Sequence, residues 1–195
     1  MAHVIVQRYT SLPSCDRTEI LRYAGVRTPD DAITELVESC VLECEGVYRA
    51  AVCSAEYAIT ITDESVDLGF CHVRSGDLAR NLRGCTHVLV FAATLGVGAD
   101  RLIARYSRLS PSRAVIIDAV MTERIECVCD LVERELGMRE SIRPRVSAGY
   151  GDIPIELQRD IFMALTPERS IGLTLTESLL MSPTKSVSAI IGIRR

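Results

Sequence analysis

The feature that most constrains the fold is a nearly continuous apolar run, HVLVFAA, at residues 87–93. A run of this length without alternating polar residues is typical of a central strand covered on both faces. A turn at residues 94–96 leads into a predicted helix at about residues 97–106. Ser110-Pro111 then begins the longest predicted helix, and Gly137 is well placed to end it.

Shorter elements surround this strand and helix. Thr28 is the expected cap of a helix that runs to about Cys44, with Pro29 in its first turn, and Ser75 is the expected cap of a helix at residues 75–82. The remaining predictions are helices at 18–24 and 154–164, two strands within 47–62, a loop at 143–153, and strands at 173–176 and 186–193. Strict strand–helix–strand alternation is absent. The sequence therefore predicts an α+β fold with a mixed or antiparallel sheet, in one domain spanning residues 1–195.

Composition excludes several classes of function. The chain has 195 residues and a net charge of −4, and its basic residues are dispersed, so we expect no nucleic-acid binding. No apolar run approaches the roughly 18–20 residues that span a bilayer, so no membrane partner is expected. The first residues lack a basic region followed by a long apolar core, which disfavours a secretory signal and favours a cytoplasmic location.

The cysteine count requires a choice between a disulfide framework, a metal site and free thiols. A chain of this length without a secretory signal is typical of a protein with reduced, partly buried thiols. Cys40 and Cys44 are four residues apart on a predicted helix and could share a face, but two ligands do not make a metal site. We therefore expect free thiols and no metal. The eight cysteines are Cys15, Cys40, Cys44, Cys53, Cys71, Cys85, Cys127 and Cys129.

Common catalytic motifs are absent from the sequence. It contains no phosphate-binding P-loop, no HExxH and no GxSxG. Gly96-Val97-Gly98 follows a strand but lacks the third glycine of a dinucleotide-binding turn. The sequence therefore predicts no self-contained hydrolase or dehydrogenase and no catalytic residue of its own.

Two blocks in the last third carry a specific resemblance. RPRVSAGYGD at residues 143–152 and LTESLLMSPTKSVS at residues 175–188 match, in order and spacing, an R-x-(small)-x-G-Y loop and an LTES…M-x-P…SVS segment. With FAATLG at 91–96 and IDA at 117–119, they resemble the activation domain of vitamin B12-dependent methionine synthase and its short free-standing relatives. The resemblance is good from residue 87 to the C-terminus and poor over residues 1–60.

The resemblance implies a twisted sheet flanked by helices and an S-adenosylmethionine site. Carried over by position, the ligand contacts are Glu126, Arg145, Ser147, Gly149 and Tyr150. An arginine can hold the ligand's carboxylate through a bidentate pair, and a glutamate can pair with its ammonium. A glycine lets the backbone approach the ligand, tyrosine offers a flat apolar face, and the loop amides can serve the adenine or ribose.

Each of these residues also has a simpler interpretation. Arg145 can be an ordinary surface arginine, and the turn at residues 149–151 can simply pack a tyrosine. Glu126 shares a helical stripe with Glu123, Asp130 and Glu133, which alone is typical of a solvated face.

Two departures from the family bear on ligand binding. Ile191 stands where the synthase domain has an aromatic residue near the ligand, and an N-terminal acid that contacts the ligand's amino group has no clear counterpart.

Two functions of different classes follow from the resemblance. The first is an accessory module that presents S-adenosylmethionine while an external electron donor such as a flavodoxin reduces a cobalamin. That corrinoid would be carried by a partner, either a corrinoid protein or a truncated methionine synthase, because the sequence has no D-x-H-x-x-G cobalamin motif. The second is a non-catalytic S-adenosylmethionine sensor or interaction module, since fold alone does not determine function. On either hypothesis the chain is not a complete enzyme.

Overall fold

A computed structural model describes residues 2–195 and contains ten strands and seven helices in that range. The strands are β1 (Ile5–Arg8), β2 (Ala51–Ala58), β3 (Thr60–Ile61), β4 (Ser65–Asp67), β5 (His72–Arg74), β6 (His87–Thr94), β7 (Ser141–Ile142), β8 (Thr174–Leu175), β9 (Met181–Ser182) and β10 (Ser186–Arg194). The helices are α1 (Arg17–Tyr23), α2 (Asp31–Glu45), α3 (Gly76–Asn81), α4 (Val97–Leu109), α5 (Pro111–Gly137), α6 (Leu157–Leu165) and α7 (Pro167–Ser170).

A five-stranded antiparallel sheet in the order β1-β2-β6-β10-β7 organises the molecule. Strand β6 occupies its centre, where Phe91 lies opposite Ser54 on one side and Ala189 on the other. Phe91 and Ala93 belong to the core beneath α1, α2, α4 and α5, whereas Val88 and Val90 belong to the core against α3 and α6. The prediction of a central strand buried on both faces is confirmed, because helices cover each side of the sheet.

The longest helix, α5, has the predicted boundaries. Pro111 stands in its first turn after Ser110, and Gly137 is its last residue. Within it, Glu123 and Arg124 are both buried and their side chains are paired. The interpretation of the acidic stripe as a solvated face is therefore wrong at Glu123.

Other boundaries differ from the sequence prediction. Helix α2 begins after Asp30, whose carboxylate accepts a hydrogen bond from Ile33 N at 2.8 Å, so Thr28 is not its cap. Ser75 does cap α3, accepting from Leu78 N at 3.0 Å, as predicted. The sequence did not reveal β1, because all four of its residues are exposed and backbone pairing with β2 alone defines it.

The segment from Arg143 to Glu156 contains no helix or named strand, in agreement with the predicted loop, and α6 begins slightly later than expected. Near the start of the loop, Val146 exchanges two backbone hydrogen bonds of 3.0 and 2.8 Å with Ile190. These bonds hold the loop against the middle of β10. The predicted Arg145–Tyr150 motif is thereby placed beside the SVS segment that follows it in sequence.

Candidate functional site

A cavity of about 380 Å³ lies where α5, the loop and the start of β10 meet. Its volume falls within the roughly 300–1,000 Å³ of typical small-molecule sites. Four elements therefore contribute to one concave surface: α5, the loop, α6 and the β9–β10 region. The lining residues are Glu126, Arg145, Val146, Ser147, Tyr150, Gln158, Met181, Ser186, Val187 and Ser188.

Four of the five predicted ligand contacts line this cavity. Glu126 comes from α5, while Arg145, Ser147 and Tyr150 come from the loop. Tyr150 is 71% exposed, which leaves most of its ring available at the surface. The structure thus brings together residues that are up to 24 positions apart in the chain.

Gly149 is the predicted contact that does not line the cavity. Its φ of +87° is strained for any other L-residue, and a Cβ added there would lie 3.1 Å from Ile155 Cδ1. Gly149 N donates to the carbonyl of Ile153 at 3.0 Å, closing a tight turn. The glycine therefore sets the shape of the loop between Ser147 and Tyr150.

Asp152 anchors the far end of the loop to α3. Its carboxylate accepts hydrogen bonds from Gly76 N at 2.9 Å, Asp77 N at 3.1 Å and the Ser75 hydroxyl. In return, the Asp77 carboxylate accepts from Asp152 N at 3.0 Å. The Ser75 hydrogen bond and these backbone donors hold the pKa of Asp152 below its usual value, because they favour the ionised form.

Arg145 is surrounded by acids from α5. Its guanidinium lies 2.8 Å from Glu126 Oε2 and 2.7 Å from Asp130 Oδ1, and it also pairs with Glu133. Glu133 Oε1 in addition accepts from Arg145 N at 2.7 Å. Burial acts to lower the pKa of Arg145, but hydrogen bonds and charges from the acids raise it overall. The side chain is 23% exposed, so Arg145 is a partly buried arginine held by three carboxylates of α5.

A second cleft lies on the other side of the Glu126–Arg145 pair. It contains Asp16 and Glu19 from the N-terminal part of the chain, with Glu126 and Arg145 in its shared wall. No clear counterpart of the family's N-terminal acid is identifiable from the sequence, yet the fold places two acids within this neighbouring cleft. Contacts between α1 and α5 bring them there.

Ile191 lies outside the cavity wall. Its side chain is fully buried in the core beneath α5, and on the sheet it is opposite Leu89. The side chains of β10 that line the cavity precede it, at Ser186 to Ser188.

Sequence reasoning missed Gln158 as a lining residue, and it placed Met181 and Ser188 in a matched block without assigning them a role. Gln158 is a buried glutamine among the apolar positions Leu157, Ile161 and Phe162 of α6. A polar residue on the apolar face of an amphipathic helix was the signal that could have identified it.

Part of the chain matches a known family. Residues 130–194 match a family model described as vitamin B12 dependent methionine synthase, activation domain. The resemblance is confirmed. The matched segment contains the loop and β10 but not Glu126. No curated protein matches the chain.

The α+β fold is likewise confirmed by a solved structure. The chain is similar to the crystal structure of the MetH reactivation domain bound to AdoHcy, with a TM-score of 0.73 and 14% sequence identity. The likeness covers 98% of this chain and 78% of the other, so it extends over the N-terminal residues that the sequence matched poorly.

Cys40 and Cys44, four residues apart on α2, are the two cysteines that the sequence placed on one helix face as candidate metal ligands. Cys40 and Cys44 are both buried in the core, as expected of small apolar residues. Within residues 2–195 no group of three or more His, Cys, Asp or Glu side chains is arranged to hold a metal ion. In the same range, no helix combines the length and apolar character needed to cross a membrane.

We expect all eight cysteines to titrate as free thiols once the protein is denatured, and the buried ones to react slowly in the native state. Burial raises the pKa of Cys44 and Cys129 to about 12, so at neutral pH they remain protonated and poorly nucleophilic. Thiol titration of anaerobically purified protein, with and without denaturant, measures both. Stoichiometric disulfides would contradict the prediction.

Because folding raises the pKa values of Cys44 and Cys129, the contribution of these two thiols to stability should be present below about pH 8.5 and be lost as pH rises towards 12.

Proposed function

We propose that the chain binds S-adenosylmethionine in this cavity and serves as an accessory module for the reductive methylation of a corrinoid. The observation that carries the proposal is the Glu126–Arg145 pair in the cavity wall, beside Ser147 and Tyr150. A carboxylate and a guanidinium next to each other complement the ammonium and carboxylate of an amino-acid zwitterion. S-adenosylmethionine has that zwitterion, and the reactivation-domain structure with the same fold holds AdoHcy, its demethylated counterpart.

Binding would exchange ion-pair partners at Arg145. Glu126 is 39% exposed on its side chain and holds the guanidinium through a single contact of 2.8 Å. The ligand's carboxylate can replace Glu126 at the guanidinium, which frees Glu126 to pair with the ligand's ammonium. Asp130 and Glu133 continue to hold Arg145 in place during this exchange. One internal ion pair is thereby replaced by two pairs with the ligand.

In the reaction, this chain would position S-adenosylmethionine. Arg145 and Glu126 orient the methionyl end, and the Gly149 turn presents Tyr150 beside the ligand, so that the methyl group faces a docked partner. A corrinoid held by that partner supplies the nucleophile, and an external donor such as a flavodoxin supplies the electron. The partner is a corrinoid protein or a methionine synthase that lacks its own activation domain.

A sensor that binds the same ligand without a corrinoid partner is the second candidate. The observation that favours it is that Ile191, at the position of the family's aromatic residue, is fully buried and does not line the cavity. Its side chain therefore contributes no aromatic face beside the ligand.

Calorimetric titration with S-adenosylmethionine tests the shared part of both candidates. We expect one binding site per chain, and no binding at millimolar ligand would contradict both. The accessory role is then tested by mixing the protein with an oxidised corrinoid protein, reduced flavodoxin and S-adenosylmethionine. Absorbance should report formation of the methylated corrinoid only when this chain is present. Binding without any methylation would favour the sensor.

A further inference from the structure

Two residues that line the cavity each carry a buried polar atom with no hydrogen-bond partner among residues 2–195. The atoms are Gln158 Oε1 and Ser188 Oγ. The residues are 7% and 2% exposed, respectively. Buried polar atoms are almost always paired, because an unpaired one loses its hydrogen bonds to water without replacement. Two such residues lining one cavity point to a ligand that supplies the missing partners.

Ser186, on the same strand and in the same cavity wall, provides an internal comparison. Its hydroxyl oxygen lies 2.8 Å from Thr94 Oγ1 and 2.7 Å from the carbonyl oxygen of Pro183. The fold therefore satisfies Ser186 from within the chain, whereas the hydroxyl of Ser188, two residues later, has no partner in the described part of the chain, residues 2–195. The contrast separates a structural serine from one whose hydroxyl is available to a ligand.

We propose that Gln158 and Ser188 bind the adenine ring of S-adenosylmethionine. The proposal rests on the proposed function and adds the residues that select the base. A glutamine amide offers an acceptor and a donor side by side, which match the N6 amino group and the N7 acceptor of adenine. The Ser188 hydroxyl can donate to or accept from a further edge atom.

The surroundings of the two residues suit a flat, weakly hydrated base better than a ribose. Val146, Met181 and Val187 supply apolar walls to the same cavity. A methionine thioether makes favourable contacts with aromatic rings. Gln158 and Ser188 select the base, and Arg145 and Glu126 hold the amino-acid end.

The decisive experiment compares two ligands by calorimetry on the full chain. S-adenosylhomocysteine has the adenine amino group, whereas S-inosylhomocysteine carries an oxygen in its place. We expect the wild type to bind the adenosyl compound at least about tenfold more tightly, because the inosyl compound leaves Gln158 Oε1 without its donor. Gln158→Leu should weaken adenosyl binding by about tenfold and remove most of the discrimination.

The melting temperature of the ligand-free protein distinguishes a ligand-binding role from a structural one. Replacing a residue that stabilises the fold would lower the melting temperature. Removing an unpaired buried polar atom should leave the melting temperature unchanged or raise it, so Ser188→Ala and Gln158→Leu should not destabilise the protein. Met163→Leu is the matched control, since Met163 is 70% exposed on α6 and lies outside the cavity wall. Met163→Leu should change neither the melting temperature nor the affinity for S-adenosylhomocysteine.

The outcomes separate this inference from the proposed function. Equal affinity of the wild type for the two ligands, or unchanged adenosyl binding by Gln158→Leu, would overturn the inference alone. Failure of the wild type to bind S-adenosylhomocysteine at millimolar concentration would overturn the inference and the proposed function together. The difference in wild-type affinity between the two ligands tests the inference even if a variant fails to fold.

Discussion

Replacement of Arg145 by alanine is expected to weaken S-adenosylmethionine binding by about 10- to 100-fold. A charge-assisted bidentate contact contributes roughly 1.5–3 kcal/mol, and each 1.4 kcal/mol corresponds to about a factor of ten in affinity. The variant also leaves Glu126, Asp130 and Glu133 without the cation that now separates them. Calorimetry therefore needs a melting curve of the same sample to establish that it is folded.

Two further variants test the assignment of the two charges. Arg145→Lys should recover only part of the affinity, because an ammonium cannot reproduce the planar fork of a guanidinium. Glu126→Gln should weaken binding less than Arg145→Ala, since its side chain is 39% exposed and water can solvate the ligand's ammonium there.

Arg134→Ala is the matched control for Arg145→Ala. Arg134 lies on α5, is exposed, and does not line the cavity. Its replacement should leave affinity unchanged. If Arg145→Ala binds the ligand as tightly as the wild type, Arg145 does not contact the ligand's carboxylate and its ion pairs serve stability alone.

Replacement of Arg124 by methionine is expected to lower the free energy of unfolding by about 3–5 kcal/mol. Arg124 is 1% exposed and Glu123 is 7% exposed, so the change leaves a buried carboxylate without its cation. The guanidinium also donates to the carbonyl of Pro13, and Glu123 Oε1 accepts from Asp16 N at 3.1 Å. The pair therefore fixes the N-terminal segment against α5, and urea unfolding should detect its loss.

A double variant distinguishes the charge pair from simple packing. Replacing Glu123 by leucine together with Arg124 by methionine removes both charges, and it should restore much of the lost stability because no isolated buried charge remains. The prediction is wrong if Arg124→Met costs less than about 1 kcal/mol, the range of an exposed ion pair. If the double variant is as unstable as the single one, the bonds to Pro13 and Asp16 carry the energy.

Local signals in the sequence determined the elements around the site. The apolar run at 87–93, the proline that starts α5 and the glycine that ends it each act over a few residues. These signals reflect burial, backbone dihedral limits and the orphaned groups at helix ends, all of which can be read locally. The motifs at residues 143–152 and 175–188, through their order and spacing, indicated the resemblance to the family.

Only the tertiary structure decided which polar groups are paired. The sequence left Glu123 in the same exposed stripe as Glu126, yet packing against residues 13–16 buries it, and the loop brings Arg145 to Glu126, Asp130 and Glu133. The unpaired atoms of Gln158 and Ser188 follow from the meeting of α6 with β10, 30 residues further along the chain. Pairing depends on distances of a few ångströms between segments remote in sequence, and residue type and spacing alone do not set those distances.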